Sequence, residues 1–216
     1  MTSPPDNDSA PDKRLRILEA ALEVCEKSGV DGARMEEVAA RAQVSKGTLY
    51  RFFESKADLF LATILASYEE SLRIVEAEAS RGADPRARLE HALDGLTRVL
   101  AAVSPRMNVH YQAWGVVAKD PVFKQRLYGF LSDFHAARDE EFAEILREGA
   151  QRGAFRPDID VTAFADGISA LLGGFLYRAT FDSQRATPQR LRACFDELVR
   201  GTVLAVGTAG EGGRDG

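Results

Sequence analysis

The chain is 216 residues long, 45% apolar and carries a formal net charge of −5, so it has enough apolar material to bury a core. Its longest apolar stretch, around Ile168 to Tyr177, is far shorter than the roughly 18–20 residues of a membrane-spanning helix, and no basic-then-apolar leader opens the chain; a cytoplasmic protein is expected. Cys25 and Cys194 stand far apart, without the spacing of a zinc site or disulfide framework, so both are read as core residues and no metal or cofactor is expected.

In chain order, residues 1–11 and 207–216 are polar, rich in Gly and Pro and without periodic apolar positions, the composition of disordered tails. Everything between them reads as helix. Apolar residues recur at three- and four-residue spacing, as in Leu15, Leu18, Leu22 and Cys25, and again in Leu127, Phe130, Leu131 and Phe134. Asp84-Pro85, Ser104-Pro105, Asp120-Pro121 and Thr187-Pro188 each put an N-cap residue before a proline. The cap oxygen satisfies free first-turn amides, and proline gives up an amide that had no partner. The spacing predicts helices near 12–28, 35–42, 46–53, 56–81, 85–103, 105–118, 121–151, 160–181 and 188–206, about nine helices and no sheet. An all-α fold follows: a helix-turn-helix domain over 12–60 and a helical body over 61–206, joined through the long helix that starts at Lys56.

The negative charge argues against nucleic acid, since lysine and arginine supply phosphate affinity, but the whole chain is the wrong scale. From Arg41 to Arg51 the only charged residues are Arg41, Lys46 and Arg51, all basic, while acids gather at Glu36–Glu37, Glu69–Glu70 and Asp139–Glu141. In Met35–Phe53, Val38, Ala39, Ala42, Val44 and Leu49 are spaced to face one another across a turn at Gln43–Ser45, and small Ala39 lets the second helix cross closely. Ser45 caps that second helix, whose positive end would meet a phosphate beside Lys46 and Thr48.

The run Val44-Ser-Lys-Gly-Thr-Leu-Tyr-Arg-Phe-Phe-Glu-Ser-Lys-Ala-Asp-Leu-Phe resembles the signature of the TetR family of transcriptional regulators, and the resemblance extends over about Leu15–Leu61. It implies that Ser45, Lys46, Thr48 and Tyr50 meet DNA backbone, that Gly47 allows close approach to a base edge, and that Arg51 enters the major groove, where an arginine binds guanine O6 and N7. Lys56, in a first turn opened by Ser55 and Asp58, and Arg34, before the second helix, are further phosphate contacts. Three positions depart from the family pattern. Arg34 replaces a threonine cap; Gln43 replaces a turn glycine and must adopt a left-handed or adjusted turn at about 1 kcal/mol; Phe52 replaces a hydrogen-bonding tyrosine or histidine and offers DNA only apolar contact.

In the body, Val161–Phe181 is apolar nearly all round and must be covered on more than one side. Phe164, Ile168, Leu171, Leu172 and Phe175, with Leu191, Phe195 and Leu198 of the last helix, are expected to form a four-helix homodimer interface. Gly153-Ala-Phe-Arg-Pro-Asp-Ile-Asp also resembles a stretch of such regulators. Met107, His110, Tyr111 and Trp114, with Phe134, are candidates for a pocket holding a small apolar or aromatic effector, against the alternative that the stripe is ordinary core.

The reading is therefore a ligand-responsive repressor that binds a palindromic double-stranded operator as a homodimer, with no membrane partner. Two others compete: a helical adaptor whose head binds protein, and an enzyme using His91, His110 or His135 with Asp94 or Asp133. No nucleophile, metal or phosphate motif accompanies those histidines, so no catalytic residue is expected.

Overall fold

The computed structural model describes residues 9–203; the expected tails lie outside them apart from residues 9–11. The described residues form nine α-helices and no strand: α1 (Ala10–Gly32), α2 (Met35–Arg41), α3 (Lys46–Phe52), α4 (Lys56–Ala79), α5 (Pro85–Val103), α6 (Met107–Val117), α7 (Pro121–Gln151), α8 (Val161–Ala179) and α9 (Pro188–Thr202), with one 3₁₀ turn at Ser104–Arg106. None of these helices is long and apolar enough to cross a membrane.

Local chemistry sets most boundaries. Asp84, Asp120, Asp160 and Thr187 each accept a first-turn amide through the side chain, from Ala87 (2.9 Å), Val122 (2.8 Å), Ala163 (2.9 Å) and Arg190 (3.3 Å) respectively. The Ser55 hydroxyl accepts from Asp58 N, and the Asp58 carboxylate accepts from Glu54 N, the residue before the cap, so both side chains satisfy amides where α4 begins. Helix α1 begins earlier than its apolar spacing suggests, at Ala10, because Ser9 and Asp12 close a capping box. Its regular part ends where expected, at Gly29 with φ 70°. Ser104 corrects the proline rule: it and Pro105 open the 3₁₀ turn, and α6 starts at Met107 without a side-chain cap.

The described residues divide into two compact units, the first from residues 9–70 with 103–134, the second from 71–102 with 135–203. In the first, Ile17, Leu18, Ala21, Val38, Ala39, Leu49, Phe53 and Leu59 make one apolar cluster. Cys25, Val30, Phe60, Leu61, Ile64, Val109, Ala113, Val117 and Leu127 make another. Polar bonds reinforce it: Gln112 Oε1 accepts from Val30 N (3.0 Å), and Arg106 pairs with Glu26 at 2.6 Å. Burial pushes the Cys25 thiol up to about 11, so it stays protonated and inert.

In the second unit, α7 ends in a Schellman motif. Gly153 takes φ 72°, its amide bonds Ala150 O, and Ala154 N bonds Gly149 O. The turn folds buried Phe155 onto Gly149. Arg192 of α9 bonds Asp94 (2.5 Å), Asp196 (2.8 Å) and Glu90 O (2.9 Å), tying α9 to α5. Glu141 is half-buried near Glu76, and both effects raise its carboxyl to about 7.

Candidate nucleic-acid interface

Helices α2 and α3 meet through a second Schellman motif. Gln43 N bonds Ala40 O (3.2 Å) and Val44 N bonds Ala39 O (3.0 Å), with Gln43 at φ 56°, the only non-glycine among the described residues with positive φ. A glutamine thus occupies the left-handed position that glycine usually fills. Buried Val38, Ala39, Ala42 and Leu49 close the angle between the helices.

This packing sorts α3 into two faces. Leu49 and the following Phe53 point into the core; Ser45, Lys46, Gly47, Tyr50 and Arg51 are exposed. The Ser45 hydroxyl accepts from Thr48 N at 3.0 Å and lies 2.8 Å from the Thr48 hydroxyl, which fixes the first turn. Lys46 Nζ sits 5.9 Å from the Tyr50 ring centroid and 2.5 Å from Glu36 Oε1 of α2. That ammonium holds the Glu36 carboxyl below the usual carboxylate range, and Glu36 in turn raises Lys46. Arg34 is exposed at the start of α2, where its side chain caps nothing. A methyl added at Gly47 would meet only Ser45 Oγ, at 3.9 Å, so nothing inside the protein requires glycine there.

Two expected contacts are placed differently. Phe52 is half-buried against the head core, 6.3 Å from Phe53, which withdraws much of its ring from the exposed face. Lys56 is half-buried: its Nζ donates to Asp31 O at 2.9 Å and lies 5.8 Å from the Phe60 ring, so it sits at the edge of the face.

The effector candidates do not line one wall. His110, 8% exposed, lies 3.4 Å from Ser67 Oγ, and burial, then nearby Arg106, lower its pKa. The void beside it, walled by Ala21, Cys25, Phe60, Ile64 and Ala113, measures about 10 Å³, room for at most one water. Tyr111 points outward at 40% exposure, while Met107 and Trp114 are half-buried. Consecutive helical residues lie about 100° apart, so a stripe containing both His110 and Tyr111 straddles the edge between core and surface. Phe134 is buried instead in an aromatic cluster with Phe130 (6.4 Å) and with Tyr68 (4.7 Å), a residue of α4 that α7 periodicity cannot supply. Asp94, offered as an acid-base partner for histidine, is held by Arg192, and His135 Nδ1 lies 2.8 Å from Arg138 Nη2.

The interface candidates also divide. Phe164, Ile168, Leu172, Leu191 and Phe195 are buried by the chain itself, whereas Leu171, Phe175 and Leu198 are only half-buried. Helix α8 instead exposes Ala163, Ala170, Gly173, Gly174 and Tyr177.

Two short helices crossing at a tight turn, the second offering lysine, tyrosine and arginine on one exposed face, define a helix-turn-helix DNA-binding protein. Comparison with known proteins agrees. The chain belongs to the TetR family of bacterial regulatory proteins: the family's own model matches residues 17–63, and that of the C-terminal region of BetI-type transcriptional repressors matches residues 85–204. It is a transcriptional regulator, not an enzyme. The HTH-type transcriptional regulator UidR of Escherichia coli K12 is 26% identical over 195 residues, covering 76% of this chain and 92% of that protein. A TetR transcription regulator from Haloarcula marismortui shares the fold with a TM-score of 0.73 at 16% identity, over 89% of this chain and 99% of that one. A transcriptional regulator from Saccharomonospora viridis, solved in complex with choline, does so at a TM-score of 0.66 and 21% identity, over 90% and 99%.

Proposed function

We propose that this regulator acts as a cytoplasmic homodimer, represses transcription from a palindromic operator, and is released by a small apolar or aromatic effector. The exposed face of α3 carries the reading: Lys46, Tyr50 and Arg51 stand together on one surface while Leu49 anchors it beneath. In this assignment Ser45, Lys46, Thr48 and Tyr50 bind phosphates, Arg34 and Lys56 extend the contact at its edges, and Gly47 admits a base edge. Arg51 reads guanine, while Phe52 mainly supports the helix from behind. Two such helices in a dimer, about 34 Å apart, would enter successive major grooves on one side of the duplex.

The small exposed residues of α8, with Ala193 and half-buried Leu198 of α9, support a close helix-on-helix dimer contact. The five buried residues named above stabilise the surface from within. For the effector, the complex of the S. viridis regulator with choline supports a ligand-binding body. Aromatic Phe130, Phe134 and Tyr68 suit an apolar or aromatic group. An effector acts only if it binds the released conformation more tightly than the DNA-bound one.

The test is selection of sequences from a random double-stranded library, followed by gel shifts. An enriched inverted repeat, bound by a dimer in light scattering, supports the proposal. Failure to enrich any sequence, or a monomeric mass at micromolar concentration, refutes it.

A further inference from the structure

The head carries no excess of basic side chains. Residues 12–58 contain nine basic and nine acidic side chains, so the segment has no net formal charge. Phosphate affinity therefore rests on how charges are arranged rather than on their sum. Arg41 is bonded to Glu23, and Lys46, exposed in the first turn of α3, is bonded to Glu36. Both members of the second pair are exposed, at 59% and 57%, so water rather than burial surrounds it and it can open.

Resting on the DNA-binding reading above, we infer that Glu36 is an internal competitor for phosphate. It occupies Lys46 whenever the head lies loosely on DNA and is displaced only when the recognition helix docks fully, which makes it a determinant of operator specificity. A carboxylate and a phosphate oxygen ask the same thing of an ammonium, a charge-assisted hydrogen bond, so Lys46 serves one or the other. On an arbitrary sequence, where Arg51 finds no matching base, α3 sits shallowly and Lys46 stays with Glu36. The contact is then not made and no counterion is released. On a matching sequence, the base contacts hold α3 in the groove, Lys46 exchanges partner, and the full set of phosphate bonds forms. The affinity withheld by Glu36 is thus withheld mainly from the wrong DNA.

Glu36→Gln tests this against a fluorescein-labelled 30-base-pair duplex of random sequence and against a sequence enriched by the wild type. Freeing one lysine per protomer adds two counterions per dimer to those released, about sixtyfold in affinity at 0.1 M salt and about 1.8 in the salt slope. The expected result is that much tighter binding to the random duplex, less than about twofold on the enriched sequence, and a correspondingly lower specificity ratio. Glu37→Gln, the same charge change one residue along, controls for net charge. Glu36→Gln combined with Lys46→Gln should abolish the gain. A gain equal to that of Glu37→Gln, or one that survives loss of Lys46, overturns the inference. So does weaker binding by Glu36→Gln confined to the enriched sequence, which would make Glu36 a base reader. If the wild type enriches no sequence and shows no salt-dependent binding to the random duplex, the DNA-binding assignment of α3 falls first, and this inference with it.

Discussion

Replacing Gly149 with alanine should destabilise the second unit although alanine is the better helix former. The added Cβ would stand 2.0 Å from Phe155 Cδ2, 2.2 Å from Cε2 and 2.9 Å from Cγ. The ring must retreat by about 1.4 Å to reach an ordinary 3.4 Å contact. It has little room: Phe155 is 2% exposed, and its own amide is tied to Gly149 O at 3.2 Å. Helix propensity returns about 1 kcal/mol. Overpacking costs about 1–3 kcal/mol, and full expulsion of a buried phenylalanine about 3–5 kcal/mol. A net loss of about 2–3 kcal/mol is expected, or about 4–12 °C in Tm for a chain of this size. Thermal melts followed by circular dichroism at one protein concentration measure it. In a Phe155→Ala background the clash is gone, and the same substitution should become stabilising by about 1 kcal/mol. Wild-type stability for Gly149→Ala, or an equal loss in both backgrounds, would refute the packing argument.

Gly47→Ala should keep or slightly raise the melting temperature, since the methyl meets only Ser45 Oγ at 3.9 Å, yet weaken operator binding about tenfold or more by blocking close approach to DNA; parallel melts and gel shifts separate the two effects. Arg51→Ala should cost about 1–3 kcal/mol on the enriched sequence and little on random DNA, whereas Lys46→Ala should weaken the enriched complex and reduce its salt slope by about 0.9 per protomer; anisotropy titrations at several salt concentrations distinguish them. Glu141, raised to about 7 by burial and then by Glu76, binds its proton more tightly in the folded protein than in the unfolded chain. Its contribution to stability is complete below the ordinary carboxylate value and is lost as the pH rises through about 7. Glu141→Gln should therefore raise the Tm at pH 8 by about 2–4 °C, the equivalent of about 1 kcal/mol after allowing for partial solvation, and change it less at pH 5; melts at the two pH values check the sign.

What could be read in advance was local. Asp84, Asp120 and Thr187 announce helix starts because a cap acts within three residues. Gln43 announces a strained turn because its neighbours demand one. The exposed face of α3 follows from its short spacing and its family signature. What could not be read depends on partners distant in the chain. Lys46 meets Glu36 on a different helix, and Val30 meets Gln112 from 82 residues away. Helix α8 is a sharper case: an apolar circumference says that it is covered but not by what. Phe164, Ile168 and Leu172 turn toward the protomer's own core, leaving alanine and glycine outside. Likewise His110 and Tyr111, adjacent in sequence, fall on opposite sides of the boundary between core and solvent.

The first compact unit is assembled from two separated stretches, and this has a consequence for synthesis. Phe60, Leu61 and Ile64 are covered by Val109, Ala113, Val117 and Leu127. A nascent chain that has released only its helix-turn-helix therefore exposes part of its own core, and it keeps doing so until Leu127 emerges, about 67 residues after residue 60. At ~5–20 residues per second that interval lasts several seconds. During it the helix-turn-helix is tethered to an incomplete hydrophobic seat, which closes only after α6 and the start of α7 have left the ribosome. Co-translational order, as much as the finished fold, binds the helix-turn-helix to the helices that follow it in the first unit.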